Sequence, residues 1–260
     1  DRLAALGEMS AGLAHEIRNP LGAIKAAAQI IEDVAPSEPA KEGAEREFLS
    51  VIVEEVDRLN RVVTDFLSYA RPSLGRPASQ DVNETLRRTL QVFETGRDDP
   101  VDLVVELAEE LPRVTVDGEH LHQVFLNLVI NAVQAMATRE RGRLEITTRA
   151  RRVRHVRDAA AASAPTRFVE VRFADNGPGI APEILQNIFI PFFTTKSKGS
   201  GLGLAVCQRI VRDAGGDIEV RSQVGQGSIF TVVLPADRES SADRDSNDEA
   251  PRPSPAPGSA

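Results

Sequence analysis

At 260 residues the chain is long enough for one large or two modest domains, at roughly 150 residues each. With 41% hydrophobic and 27% charged side chains its composition is globular, which excludes wholesale disorder and fibrous repeats. Thirty-one basic against thirty-nine acidic side chains leave a net charge of -8, the wrong sign for a chain that follows nucleic acid through its overall field, so no nucleic-acid partner is expected.

The first element is a helix. From Leu3 to Ile31, small or apolar residues recur at three- and four-residue steps: Leu6, Ser10, Leu13, Ile17, Pro20, Ile24, Ala27 and Ile31. The pattern begins at Asp1 without a preceding loop, so further chain is expected upstream, where any sensor or membrane anchor would lie. This part of the protein is expected to be cytoplasmic. No run approaches the roughly 18 apolar residues of a membrane span, and the N-terminus carries no leader pattern.

His15 stands two positions from both Leu13 and Ile17, about 200° around the helix from each seam residue, and so points away from the seam. An outward histidine is most often a surface histidine. Here Arg18 and Asn19 share its face, and Pro20 imposes a kink beside it at a cost of about 3 kcal/mol. The unbroken seam argues that the helix continues past the proline. A neutral imidazole is a competent nucleophile near pH 7, and Glu16 could hold its tautomer and take the remaining proton.

A turn through Pro36, Pro39 and Gly43 leads to a second helix with a seam of Phe48, Ile52, Val56, Leu59, Val63, Phe66 and Ala70. A lone hairpin would leave both stripes wet, so a homodimeric four-helix bundle is expected. Arg71-Pro72 ends this helix, and a linker follows.

Beyond it a helix is expected from Val82 to Phe93, an extended run from Asp102 to Leu107, and a helix from Gly118 to Ala137 with Asp117 as its N-cap. The apolar stripe of that helix is Leu121, Phe125, Leu128, Ala132 and Ala135. Its opposite stripe, Gln123, Asn127, Asn131 and Gln134, is polar but uncharged, where a solvated face more often carries lysine and glutamate. An amide oxygen directed at a hard cation is the functional alternative to a plain solvated face. Glu119, His120 and His122 diverge too much at the helix start to form a metal cluster.

Strands are expected at Leu144–Ala150 and Arg167–Ala174, joined by an arginine- and alanine-rich stretch, Arg151–Pro165, read as a bland extended loop. Asp175-Asn176-Gly177-Pro178-Gly179 ends the second strand. A turn explains these residues, and a carboxylate there could also accept the exocyclic amine of adenine. Phe189, Phe192 and Phe193 interleaved with Thr194, Thr195, Lys196 and Lys198 suit a mobile lid with apolar anchors and cations for phosphate.

Gly199-Ser200-Gly201-Leu202-Gly203 opens a helix, Leu204–Ala214, whose free amides form an anion site. With no preceding strand and no Walker lysine-serine pair, the Rossmann and P-loop readings fail. Cys207 reads as a small buried hydrophobe. Strands at Ile218–Ser222 and Ser228–Leu234 complete an α+β sandwich with helices on one face, and the tail from Asp237 to Ala260 is expected to be disordered.

Taken jointly and in this order, these pieces resemble the kinase core of bacterial two-component sensor histidine kinases, over about Leu3 to Pro235. His15 to Pro20 is similar to the phosphoacceptor box, Asn127 to Ala132 to the asparagine box, and Asp175 to Gly179 to the first glycine box. Ile188 to Lys196 matches the phenylalanine box and Gly199 to Gly203 the second glycine box. The wording of the histidine box resembles the nitrogen-regulation type. The resemblance implies a dimerisation and phosphotransfer hairpin over 1–71, a linker over 72–80 and an ATP-binding domain of the GHKL type over 81–236.

It further implies an ATP-dependent protein-histidine kinase with ATP and Mg2+ as cofactors. His15 would accept the phosphoryl group beside Glu16, and Asn19 would orient water for dephosphorylation of a partner. Asn131 would bind magnesium and Asp175 adenine, with Asn127, Gly177, Gly179, Phe189, Thr195, Lys196, Lys198, Gly199, Gly201, Leu202 and Gly203 around the nucleotide. The implied partners are a second copy of the chain and a response-regulator receiver domain. Ser228, where the family often has threonine, is expected to be remote from the chemistry. Related ATPases such as gyrase and the Hsp90 chaperones place a glutamate base where Asn127 stands, which disfavours an ATPase; a protein-serine kinase would have no evident need for the kinked histidine helix.

Overall fold

The computed structural model describes residues 2–34, 42–70, 76–95, 101–137, 139–153, 166–196 and 199–237. Helix α1 runs unbroken from Arg2 to Val34 with Pro20 inside it, as the continuous seam requires. It packs along α2, Glu42–Ala70. Leu13, Ile17, Ile24 and Ile31 are half-buried, while Pro20 and Ala27 are buried.

The second seam differs from its expected course. Phe48, Ile52, Leu59 and Phe66 turn inward, but Val62 and Glu55 take the places assigned to Val63 and Val56, which are 40% and 43% exposed. Leu49, Val53, Val56, Val63 and Leu67, with Asn60 between them, form a second heptad stripe on the outer face. The sequence pattern merged two stripes one residue apart. The turn around Pro36 to Gly43 falls largely outside the described residues, as does the linker segment 71–75. Among the described residues no helix is long and apolar enough to cross a membrane.

The second unit opens with β1 (Ala78–Gln80), which the linker was expected to cover. Then come α3 (Val82–Thr95), β2 (Val101–Glu106), β3 (Val114–Val116) and α4 (Gly118–Ala135). They are followed by β4 (Gly142–Val153), β5 (Thr166–Asp175), α5 (Pro182–Leu185), α6 (Gly203–Asp213), β6 (Asp217–Gln223) and β7 (Gly227–Pro235). β1 pairs with β3, and the main sheet has the order β2-β4-β5-β7-β6. Among the described strands only β2 and β4 run parallel, their connection carrying β3 and α4 across the sheet.

Strand alternation divides the sheet into two faces. Leu144, Ile146, Val169, Val171, Phe173, Val232, Leu234 and Ile218 are buried against Leu86, Leu121, Val124, Phe125, Leu128, Val129, Cys207 and Val211. Each such large side chain contributes about 1.5–3 kcal/mol by leaving water. Phe125 of α4 and Phe173 of β5 meet with ring centroids 5.9 Å apart, tilted by 44°, fixing the helix over the strand whose end carries Asp175. Asp117 caps α4, its Oδ1 accepting the Glu119 and His120 amides at 3.0 Å.

The outer face is ionic. Glu170 is 2% exposed because Arg149 and Arg151 fold over it, Arg151 Nη1 donating to Oε1 at 2.9 Å. Burial pushes this carboxyl up, but the two guanidinium groups outweigh it and hold it below the usual carboxylate range. These contacts carry β4 through Val153, so Arg151–Val153, read from sequence as loop, are strand; residues 154–165 lie outside the described region. Asp237, placed by the sequence at the start of the disordered tail, is tied down: it accepts the Ser79 and Thr115 hydroxyls at 2.6 Å, and its amide donates to the Arg113 carbonyl at 2.7 Å. Residues 238–260 lie outside the description.

Candidate functional site

The segments singled out by the sequence meet where β5 ends beneath α4. Asp175 is the last residue of β5, on the helix-facing side of the sheet, paired in register with Ser228 of β7. Its Oδ1 accepts the Gly177 amide at 2.8 Å, and the Ser228 amide also donates to it. Burial nevertheless raises the Asp175 carboxyl above its ordinary range, against the pull of these amides and of Lys196. Ser228 is therefore in the site rather than remote from it. Its hydroxyl lies 3.0 Å from that of Ser222, which accepts the Ile180 amide at 2.7 Å.

The turn after Asp175 is braced from three sides. Asn176 accepts the Arg143 amide at 2.8 Å and donates to the Arg141 carbonyl at 3.0 Å. Arg139 Nη2 donates to the carbonyls of Gly177 and Gly225 at 3.0 and 3.1 Å, joining this turn to the one between β6 and β7. Gly179 sits at φ +72°, where a Cβ would collide with the Gln223 carbonyl. Only glycine satisfies both conditions.

Ile188 is buried and Phe189 packs against the core, anchoring the phenylalanine-rich stretch at its start. Phe192 stands at φ +64°, alone among the described non-glycine residues in the left-handed region, at a cost of about 1–3 kcal/mol. Its amide donates to the Gly201 carbonyl at 3.0 Å. Gly201, at φ +66°, lies so close to the Phe192 backbone that a side chain could not fit. The two segments flanking residues 197–198 are thus clasped together. Leu202 is fully buried and α6 begins at Gly203, its first amides lacking intrahelical acceptors.

Over this cleft lies the polar stripe of α4. Gln123, Asn127 and Asn131 are half-buried and Gln134 is exposed. Asn127 Nδ2 makes a long 3.5 Å contact with the Gly203 carbonyl, and so addresses the second glycine segment. Asn131 Oδ1 and Gln134 Oε1, one helical turn apart, converge on Lys196 Nζ at 3.0 and 2.9 Å. Burial lowers the pKa of Lys196, and Asp175 partly restores it.

This donor set tests whether a hard cation suits the place. Two neutral oxygens already face one positive charge, with a carboxylate nearby, which is the oxygen-only chemistry magnesium takes. Among the described residues no group of three or more His, Cys, Asp or Glu is gathered for a metal. His122 Nδ1 lies 2.7 Å from the Thr89 hydroxyl and His120 Nδ1 3.6 Å from Asp117, so the two imidazoles engage different partners.

The structure therefore brings together Asn127, Asn131, Asp175, Gly177, Gly179, Phe189, Lys196, Gly199, Gly201, Leu202 and Gly203, with Thr195 exposed beside Lys196. Lys198 lies outside the described residues. His15, Glu16 and Asn19 are on α1, away from the contacts that build the cleft. Asn19 is exposed, and the side chains of His15 and Glu16 lie outside the description. Sequence reasoning did not single out Arg139 and Ser222, set Ser228 aside as remote from the chemistry, and left Gln134 as one of a stripe. Arg139, three residues past Met136, gave no signal, because its role depends on a turn that arrives 86 positions later.

Residues 5–75 match the His Kinase A (phospho-acceptor) domain family. Residues 116–238 match the family described as histidine kinase-, DNA gyrase B-, and HSP90-like ATPase. The chain is 40% identical over 236 residues to the signal transduction histidine-protein kinase AtoS of Escherichia coli, covering 90% of this chain and 36% of AtoS. It is 31% identical over 224 residues to the sensory histidine kinase/phosphatase NtrB of Vibrio alginolyticus, covering 86% of this chain and 61% of NtrB. The chain thus spans less than two thirds of either relative.

Among solved structures, the histidine kinase ThkA in complex with the response regulator protein TrrA superposes with a TM-score of 0.71 at 31% identity, over 91% of this chain and 63% of that one. The isolated ThkA catalytic domain gives a TM-score of 0.50 at 32% identity, over 62% of this chain and 95% of that domain.

Proposed function

The chain belongs to the sensor histidine kinase family, and from that premise we propose that it transfers the γ-phosphoryl group of ATP to His15 and then to an aspartate of a response-regulator receiver domain. The observation that carries the ATP half is the convergence of Asp175, the two glycine turns and the Asn131–Gln134 oxygens on one cleft between α4 and the sheet. Adenine lies with its exocyclic amine toward Asp175, and Gly179 lets the backbone approach the ring. The phosphates lie toward Gly201, Gly203 and the first amides of α6.

Asn131 would hold magnesium there, and the cation would supply positive charge to offset that on the transferring phosphoryl group. Phe189 anchors the lid, and Thr195, Lys196, Lys198 and Gly199 close over the phosphates. At the α4 position where related ATPases carry a glutamate, Asn127 cannot deprotonate water, and its amide is turned to the Gly203 carbonyl. Transfer to a presented imidazole is thereby favoured over hydrolysis.

On α1 the imidazole of His15 attacks the γ-phosphorus in line, the bond from that phosphorus to the β,γ-bridging oxygen breaks, ADP leaves, and Glu16 takes the ring proton. Asn19, on the same face, orients the water that dephosphorylates the regulator. The outer stripe of α2 supports a homodimer. Leu49, Val53 and Leu67 of that stripe, and Leu21 of α1, are 44–60% exposed, and burying them against a second copy completes a four-helix bundle. ThkA was captured with a response regulator, and an equivalent receiver domain is the partner we assign here. A core that draws on ATP fits a cytoplasmic location for this part of the protein, with any membrane attachment through a segment outside this chain.

The test is Asn131→Asp in the full chain. It leaves α4 and the dimer intact and abolishes magnesium-dependent phosphorylation. Labelling at the wild-type rate would remove Asn131 from the site.

A further inference from the structure

Lys196 does not sit as a surface lysine does. Its ammonium is drawn under α4, donating to Asn131 Oδ1 at 3.0 Å and Gln134 Oε1 at 2.9 Å, with Asp175 attracting it from the end of β5. Holding a lysine in one geometry costs about 1.5–2 kcal/mol of side-chain freedom, and withdrawing its charge from water adds to that. A bland surface crosslink would use exposed carboxylates. Here the partners at hydrogen-bonding distance are two neutral amide oxygens, of the kind that surround a hard cation.

Resting on the ATP-site reading above, we propose that Lys196 is a resident counter-cation. Its ammonium fills the Asn131–Gln134 cation subsite when no metal is bound, and arriving metal displaces it.

Two consequences follow from charge alone. A divalent ion and an ammonium cannot share Asn131 Oδ1, since like charges at contact repel strongly. Magnesium therefore expels Lys196 from α4. Conversely, ATP without metal meets a site whose positive charge is already in place, with three ammonium hydrogens able to turn toward phosphate oxygens. Metal-free nucleotide then binds with Lys196 acting as its cation.

The experiment measures ATP dissociation constants for the full chain in magnesium and in EDTA, for wild type, Lys196→Met and Lys196→Gln. The expected result is that both substitutions weaken metal-free binding about tenfold or more, the scale of a lost charge-assisted contact. Any loss of magnesium-ATP affinity is smaller, because the metal then supplies the charge, so the ratio of the EDTA to the magnesium dissociation constant rises about threefold or more over wild type. Either variant suffices, and an unchanged thermal midpoint certifies its fold. Equal weakening in both buffers, a loss confined to magnesium, or no change in either would overturn the proposal. Failure of the wild-type protein to bind ATP in both buffers would instead overturn the ATP-site reading, and this proposal with it.

Discussion

Asp175 and Gly177 are joined by a 2.8 Å hydrogen bond from the glycine amide to the carboxylate, which closes the turn at the end of β5. The bond does not compensate fully for burial, since the carboxyl still titrates above its ordinary range.

That residual penalty gives a prediction of opposite sign for stability and function. A carboxyl whose folded pKa is raised adds stability below its ordinary pKa and loses it as pH rises through the folded value. Asp175→Asn removes the charge while keeping an acceptor for Gly177. Its thermal midpoint at pH 7 should exceed that of wild type by roughly 1–4 °C, the advantage fading by about pH 4, while ATP affinity falls about a hundredfold or more. A lower midpoint at pH 7, or retained affinity, contradicts the assignment.

Glu170 gives the converse case. Its carboxyl is held below the ordinary range by Arg149 and Arg151, so its contribution is present above the ordinary carboxylate pKa and lost as pH falls through the folded one. Glu170→Gln should lower the midpoint at pH 7 and flatten the wild-type decline in acid. Because the outer sheet face is remote from the cleft, ATP affinity should be unchanged. Thermal melts across pH check the first part and nucleotide titration the second.

The exposed stripe of α2 predicts assembly. Val53, 60% exposed, and Val56, 43% exposed, lie on the same face one turn apart. Replacing both with glutamate should convert the dimer to monomer in sedimentation experiments and leave the ATP affinity of the second unit within about twofold. A monomeric wild-type chain, or a variant that sediments as wild type does, contradicts the bundle.

Much of this was legible because the chemistry is local in sequence. The polar face of α4, the aspartate-glycine turn and the glycine stretch before α6 each announce themselves within a few residues, and periodicity placed their helices and strands. What escaped was set by distance. Ser228 reaches Asp175 only through the register of β5 and β7, and Arg139 finds its acceptors across two turns. β1 and β3 are three residues each and carry too few alternations to register as strands. On α2, apolar residues at adjacent positions made two stripes look like one, because an inward Val62 and an outward Val63 are alike in hydropathy.

The outer sheet face shows a different limit. Arg151 read as the start of an arginine-rich loop and Arg149 as one more residue of the strand before it, because nothing in the local pattern marks Glu170 as an acid buried at the centre of the sheet. Only strand pairing brings them together, and it extends β4 by three residues.

The route of the phosphoryl group is open to direct measurement. Incubating the full chain with γ-labelled ATP and magnesium should give a protein-bound label that is lost in acid and stable in alkali, as a phosphoramidate is. His15→Gln should abolish that label while leaving ATP affinity unchanged. Equal labelling of the variant, or a label stable to acid, would contradict transfer to His15.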